Sequence, residues 1–187
     1  MTREEIAALA SRAKMVNEME DSFSWKVKDR RSSKSRLTFI EQVRFHQALY
    51  RLWLFCSMYG LEAISEDDNE LFSDTGVRRK FFAAFSTSQL EEILDVLEFL
   101  NDIAQRTLTR DGDHIEWSDA YTLASDWLPF CGPEILWEVH TTGSCDMDNR
   151  YEESLIEASE NDIQPSACFF QLEEILKERK SARFSSN

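Results

Sequence analysis

Apolar residues recur along this chain mostly at separations of three and four, the period of helices that turn one face to a core, and no convincing alternation of period two appears. The densest apolar stretch is RFHQALYRLWLFCSMYG, residues 44–60. Thr38 and Glu41 precede it at the spacing of a capping box, and Gly60 closes it, so the pattern predicts a helix over 38–59. Placed at about 100° per residue, Phe45, Ala48, Leu49, Leu52, Trp53, Cys56 and Tyr59 share one arc of about 140°, which faces a core. Tyr50, Leu54, Phe55 and Met58 cover much of the remaining surface and leave Arg44, Gln47 and Arg51 as a narrow polar strip. A helix apolar on most sides is expected at the centre of a bundle.

The same reading organises the rest of the chain. Thr2 and Glu5 form a capping box that opens a first helix, with Ile6, Leu9, Ala10 and Ala13 as a modest apolar stripe. A short helix is expected over 77–85, anchored by Phe81, Phe82 and Phe85. Ser86 and Gln89 form a third box before a helix over 86–107, in which Leu90, Ile93, Leu94, Val96, Leu97, Leu100, Ile103 and Ala104 share one broad face. Ser118 can cap a helix carrying Tyr121, Leu123, Ala124, Trp127 and Leu128. Gly132 and Pro133 fit the Ncap and first turn of PEILWEVHTT, which Gly143 ends. An acidic helix over 148–160 and a last helix opened by Pro165, with Phe169, Leu172, Ile175 and Leu176 inward, complete the set. The expected fold is an all-α, single-domain, irregular bundle of about seven helices, with those over 38–59 and 86–107 at its centre. Its expected parts are an N-terminal helix at 1–21, a basic linker at 22–36, a helical domain at 37–180 and a tail at 181–187.

Composition agrees with one helical core. A chain of 187 residues is the size of a single domain, and 42% hydrophobic content is too apolar for disorder. Five glycines and three prolines supply few of the turns that many short strands require. The net charge of −14 argues against direct nucleic-acid binding, which rests on Lys and Arg neutralising phosphates; it reads either as charge that serves solubility alone, the commoner case, or as an attraction for a partner with a basic surface. No window reaches the roughly 20 apolar residues of a membrane span, and His46 and Arg51 interrupt the most apolar stretch. An intracellular protein, nuclear or cytoplasmic, is expected. Cys56, Cys131, Cys145 and Cys168 show no C-x-x-C pairing and read as free thiols.

Chemistry-bearing motifs are sparse. Cys131, His140, Cys145 and Cys168 lack the close pairing that holds two corners of a zinc tetrahedron, so buried structural cysteines are the better reading. Cys145 beside His140 makes a nucleophile and base pair only if the two come within hydrogen-bond reach. RDGD at 110–113 resembles a calcium loop, but placing Gly112 at the sixth position puts Thr107 and Ser118 where Asp and Glu are needed. No phosphate-binding glycine loop, serine elbow or H-E-x-x-H motif is present, and no catalytic residue, metal ligand or cofactor is assigned.

Two charged features remain. Glu91, Asp95, Glu98 and Asp102 form a stripe opposite the apolar face of the 86–107 helix, either a solvated face or a surface that docks a basic partner. The segment KVKDRRSSKSR gathers Lys26, Lys28, Arg30, Arg31, Lys34 and Arg36 against Asp29. It reads as a flexible linker, as an import or partner-binding segment, or, through Ser33, as a phosphorylation site whose added charge lowers the local positive potential.

Three patches resemble the helical region downstream of the F-box in filamentous-fungal F-box-like proteins. They are LTFIEQVRFHQALYRLWLFCSMYG, FFAAFSTSQLEEILDVLEFL and DHIEW, together spanning roughly residues 37–130. Residues 1–36 lack the Leu-Pro start and short helical pattern of an F-box, so the resemblance implies a helical recognition module, and the F-box's own binding to its adaptor is not carried over. The expected function is that of a non-enzymatic protein–protein interaction module, an adaptor or regulatory subunit. Two alternatives are a small-molecule or lipid-binding protein with Trp53, Trp117, Trp127 and Trp137 lining a pocket, and an acidic mimic of nucleic acid.

Overall fold

The computed structural model describes residues 2–28, 36–60, 75–109, 131–142 and 166–185, which are almost wholly helical, with no strand among them. In chain order the helices are α1 (Arg3–Val27), α2 (Phe39–Tyr59), α3 (Thr75–Ala83), α4 (Thr87–Thr109), α5 (Pro133–Thr142) and α6 (Ser166–Ser185). The all-α class is as expected, and the six helices among the described residues stand close to the expected seven. The helices expected from Ser118 and over 148–160 lie outside the described residues.

All three capping boxes form. Thr2, Thr38 and Ser86 each accept a hydrogen bond from the backbone N–H three residues on, at 3.2, 3.4 and 3.3 Å. Glu5, Glu41 and Gln89 return the bond to the capping residue's own N–H at 2.6, 2.7 and 2.9 Å. Each box satisfies two backbone donors that a helix start otherwise leaves to solvent. At the start of α5, Gly132 adopts φ +105° while its carbonyl accepts from Leu136 N–H at 3.2 Å. That conformation is open to glycine and strained for other residues.

Helix α4 is the centre of the molecule, packing against α2, α5 and α6. Leu90, Ile93, Val96, Leu97, Leu100, Ile103 and Ala104 are buried along it, and Leu94 is partly so. Each fully buried Leu or Ile contributes about 1.5–3 kcal/mol relative to exposure, so this face alone accounts for much of the cohesion. Phe99, outside the expected apolar face, is also buried, its ring 5.3 Å from Phe23 of α1 and 6.2 Å from Phe45 of α2.

Two expectations are corrected by the packing. Helix α1 continues through Val27, into the stretch expected as linker, because Phe23 and Ser24 are held against the body and Lys28 caps the end. Helix α2 is not enclosed on most sides: Phe55 joins the buried face, while Tyr50, Leu54 and Met58 stand about half exposed on the outer side. Contacts between α1 and α2 run in opposite numerical order, from Lys28 with Glu41, through Phe23 with Phe45 and Glu20 with His46, to Arg12 over Trp53. The two helices are therefore antiparallel, and α1 docks on its own domain. Helix α3 is clamped by α6, whose Arg179 donates to the carbonyls of Phe85 and Ala83 at 2.6 and 2.9 Å, while Arg79 pairs with Glu174 and Glu178.

Candidate functional site

The acidic stripe of α4 is built by the same period that builds its core face. Residues 91, 95, 98 and 102 fall on one side because their separations of four, three and four track the helical turn. Packing then divides the stripe. At one end Glu91 lies 3.0 Å from Lys180 of α6, and at the other Asp102 lies 2.7 Å from Lys26 of α1. Asp95 and Glu98 between them are exposed and form no ion pair with any described residue.

Electrostatics at the centre follow from this division. Partial burial pushes the Asp95 carboxyl above its usual range, and the neighbouring charges of Glu98 and Glu91 push it further, with Lys26 opposing. Three carboxylates thus lie within two turns, two of them without an ion pair to any described residue. No proton transfer is assigned to them, since all three stand in solvent.

The basic segment is partly resolved into structural roles. Lys26 and Lys28, expected to belong to an import or regulatory segment, are ion-pair partners within the fold: Lys26 of Asp102, and Lys28 of Glu41 at 2.6 and 2.8 Å. Glu41 also accepts from the Thr38 N–H and hydroxyl, and these bonds, the one from Lys28 first, hold its carboxyl down from 4.5 to about 2. Arg36 is exposed at the approach to α2. Arg30, Arg31, Ser33 and Lys34 lie outside the described residues.

Other chemical candidates are placed as follows. Cys56 is a buried thiol and Cys131 a half-buried one, while Cys145 and the side chain of Cys168 lie outside the described residues, as do RDGD, Trp117 and Trp127. His140 Nδ1 is 2.8 Å from Thr107 Oγ1, whose hydroxyl donates to the Ile103 carbonyl at 2.8 Å. With its one proton committed there, the hydroxyl accepts from His140, which assigns the proton to Nδ1. Trp137 is buried, and its indole N–H donates to Glu18 at 3.1 Å. Trp53 is flanked by Tyr50 and by the Arg12 guanidinium, 5.4 Å from the ring centre. Among the described residues no group of three His, Cys, Asp or Glu is arranged to hold a metal ion, and no helix is long and apolar enough to cross a membrane.

Sequence reasoning missed a polar cluster between α1 and α2. The largely buried Glu20 accepts from Gln42 at 2.7 Å through one oxygen and lies 2.8 Å from His46 Nε2 through the other. Nothing in local spacing marks Glu20, because both partners stand on another helix. No protein-family model, curated protein or solved structure matches the chain.

Proposed function

We propose that this chain is a non-enzymatic intracellular interaction module, an adaptor or regulatory subunit, and that it engages a basic protein surface through the acidic face of α4. The observation that carries the reading is the pairing pattern of the stripe: Glu91 and Asp102 are held by Lys180 and Lys26, while Asp95 and Glu98 stand exposed between them. The intramolecular pairs act as fixed ends, and a Lys or Arg of the partner completes the two central carboxylates. Interactions of this kind set encounter rate and orientation and weaken with salt. The resemblance to helical regions of F-box-like proteins belongs to the same proposal and supports a recognition role rather than a reaction.

The test is capture from cell extract by the intact protein and by Asp95→Lys/Glu98→Lys, a change that leaves both structural ion pairs in place. Capture of a basic protein that weakens with added salt and is lost with the double variant supports the reading. Identical capture by both forms reduces the stripe to a solvated face and removes the proposal.

A further inference from the structure

Helix α2 carries a second apolar face, on the side away from its core. Ile40, Val43, Gln47, Tyr50 and Leu54 follow one another at separations of three and four, with Ser57 and Met58 next in the series. This is the a/d spacing of a coiled-coil seam, and it confines the side chains to an arc of about 100°. Every seam position is exposed: Phe39 at the start by 78%, Ile40 by 63%, Leu54 by 52% and Met58 by 48%. The buried residues Phe45, Ala48, Leu49, Leu52, Phe55 and Cys56 occupy the opposite side, so one helix presents two apolar faces, of which the described residues cover one.

We infer that the second face is covered by another copy of this chain, with the two α2 helices packed antiparallel about a twofold axis. The seam is self-complementary when read against its own reverse. Ile40 then meets Ser57 and Met58 of the second copy, Val43 meets Leu54, and Gln47 meets Tyr50, so apolar layers flank one layer in which an amide faces a phenol. A twofold contact requires this kind of self-match, and a single polar residue within a seam fixes register.

Charge favours the same occupant. From Gln42 to Gly60 the helix contains no Asp or Glu, in a chain that has 35 of them, so two copies of like net charge can meet here without opposing carboxylates on α2. On one rim Arg44 lies 3.6 Å from Glu92 of α4, and Arg51 stacks over Phe85 with its Nη1 lacking a hydrogen-bond partner.

Area is sufficient. At roughly 100 Å² of exposed surface each, Phe39, Ile40, Val43, Tyr50, Leu54 and Met58 offer about 600 Å², at the upper end of the patches ordinary monomers expose. With Arg44, Gln47 and Ser57 added at the rim, this approaches the ~800 Å² per partner of a standard interface. The contact does not involve Asp95 or Glu98, so the dimer stands or falls independently of the acidic face.

Sedimentation equilibrium of the full chain reads the assembly directly. The expected result is a monomer–dimer equilibrium that tightens as salt screens the net repulsion, opposite in sign to capture of a basic partner. Leu54→Lys and Val43→Glu, both at exposed positions, each raise the dimer dissociation constant by about tenfold or more. Mixing the two variants restores a dimer, because the antiparallel register sets the new lysine against the new glutamate. A control at the exposed Phe170 of α6, Phe170→Lys, leaves dimerisation unchanged. A wild-type chain that remains monomeric to about 100 µM overturns the inference. A dimer indifferent to both seam variants, or a mixture that fails to reassociate, overturns it equally.

Discussion

Lys26 Nζ lies 2.7 Å from Asp102 Oδ2, so a residue of the basic segment is the counter-ion of the acidic face. The pair ties the last turn of α1 to α4 and gives the acidic stripe a fixed end. Both side chains keep a third or more of their surface in solvent, so the pair contributes about 0–1 kcal/mol to stability. Its larger effect is on geometry: it fixes the position of α1 against α4.

Partial burial first, then the charges of Glu98 and Glu91, make Asp95 a residue whose charge opposes folding, with Lys26 acting against them. Its carboxyl is raised above the unfolded value, so its contribution to stability is present at low pH and is lost as pH rises through the raised value. Asp95→Asn is expected to stabilise the fold at neutral pH by about a few tenths of a kcal/mol, given its exposure, while weakening capture of a basic partner. Urea titrations at neutral and acid pH check the first part, the gain disappearing at acid pH. Equal or lower stability of the variant at neutral pH contradicts it.

Glu41 shows the opposite sign. With its carboxyl held down to about 2, it stabilises the native state above 4.5, and that contribution is lost as pH falls from 4.5 toward 2. Glu41→Gln is expected to flatten the acid limb of the stability curve over this window. Lys28→Ala removes the largest cause and is expected to reproduce most of the flattening. Thermal melts through the window decide, and an unchanged acid limb in both variants rejects the assignment.

At Gly132 the cost of a side chain is conformational rather than steric. An added Cβ meets the Cys56 Cβ at 3.7 Å, ordinary van der Waals contact, but φ is +105°. Gly132→Ala is therefore expected to destabilise by about 1–3 kcal/mol. Chemical denaturation measures this directly, and a loss below about 0.5 kcal/mol shows that the turn relaxes.

Arg179 closes the end of α3 from another helix. Its two terminal nitrogens serve two carbonyls, of Phe85 and Ala83, which no single ammonium reaches with the same geometry. Arg179→Ala is expected to cost about 1–2 kcal/mol, and Arg179→Lys to recover less than half of it. Amide exchange should show the loss first at the end of α3. Full rescue by lysine would mean that charge near the helix terminus suffices.

Much of the helical order was legible because its determinants are local. Thr38 and Glu41, or Ser86 and Gln89, stand three residues apart, and a capping box forms within one turn whatever the rest of the chain does. The core face of α4 was equally readable, since its apolar residues outnumber the alternatives on one side and the opposite side is charged.

Helix α2 marks where that reading ends. Its arc of Phe45, Ala48, Leu49, Leu52 and Cys56 turns inward as the period predicts, but Phe55, expected on the remaining surface, is buried as well because Phe81 and Phe82 of α3 and Phe169 of α6 pack against its ring. Phe99 lay off the expected face because α1, docking beside α2, creates a second contact for α4. The start of the basic segment read as linker for the same reason: Lys26 and Lys28 find Asp102 and Glu41 only once α1 lies across the bundle. Helix starts, helix faces and fold class depend on separations of three or four residues, and the sequence by itself determined them. How far each buried face extends, as at Phe55 and Phe99, and which charges are paired depend on contacts between distant segments, and those the tertiary structure alone decided.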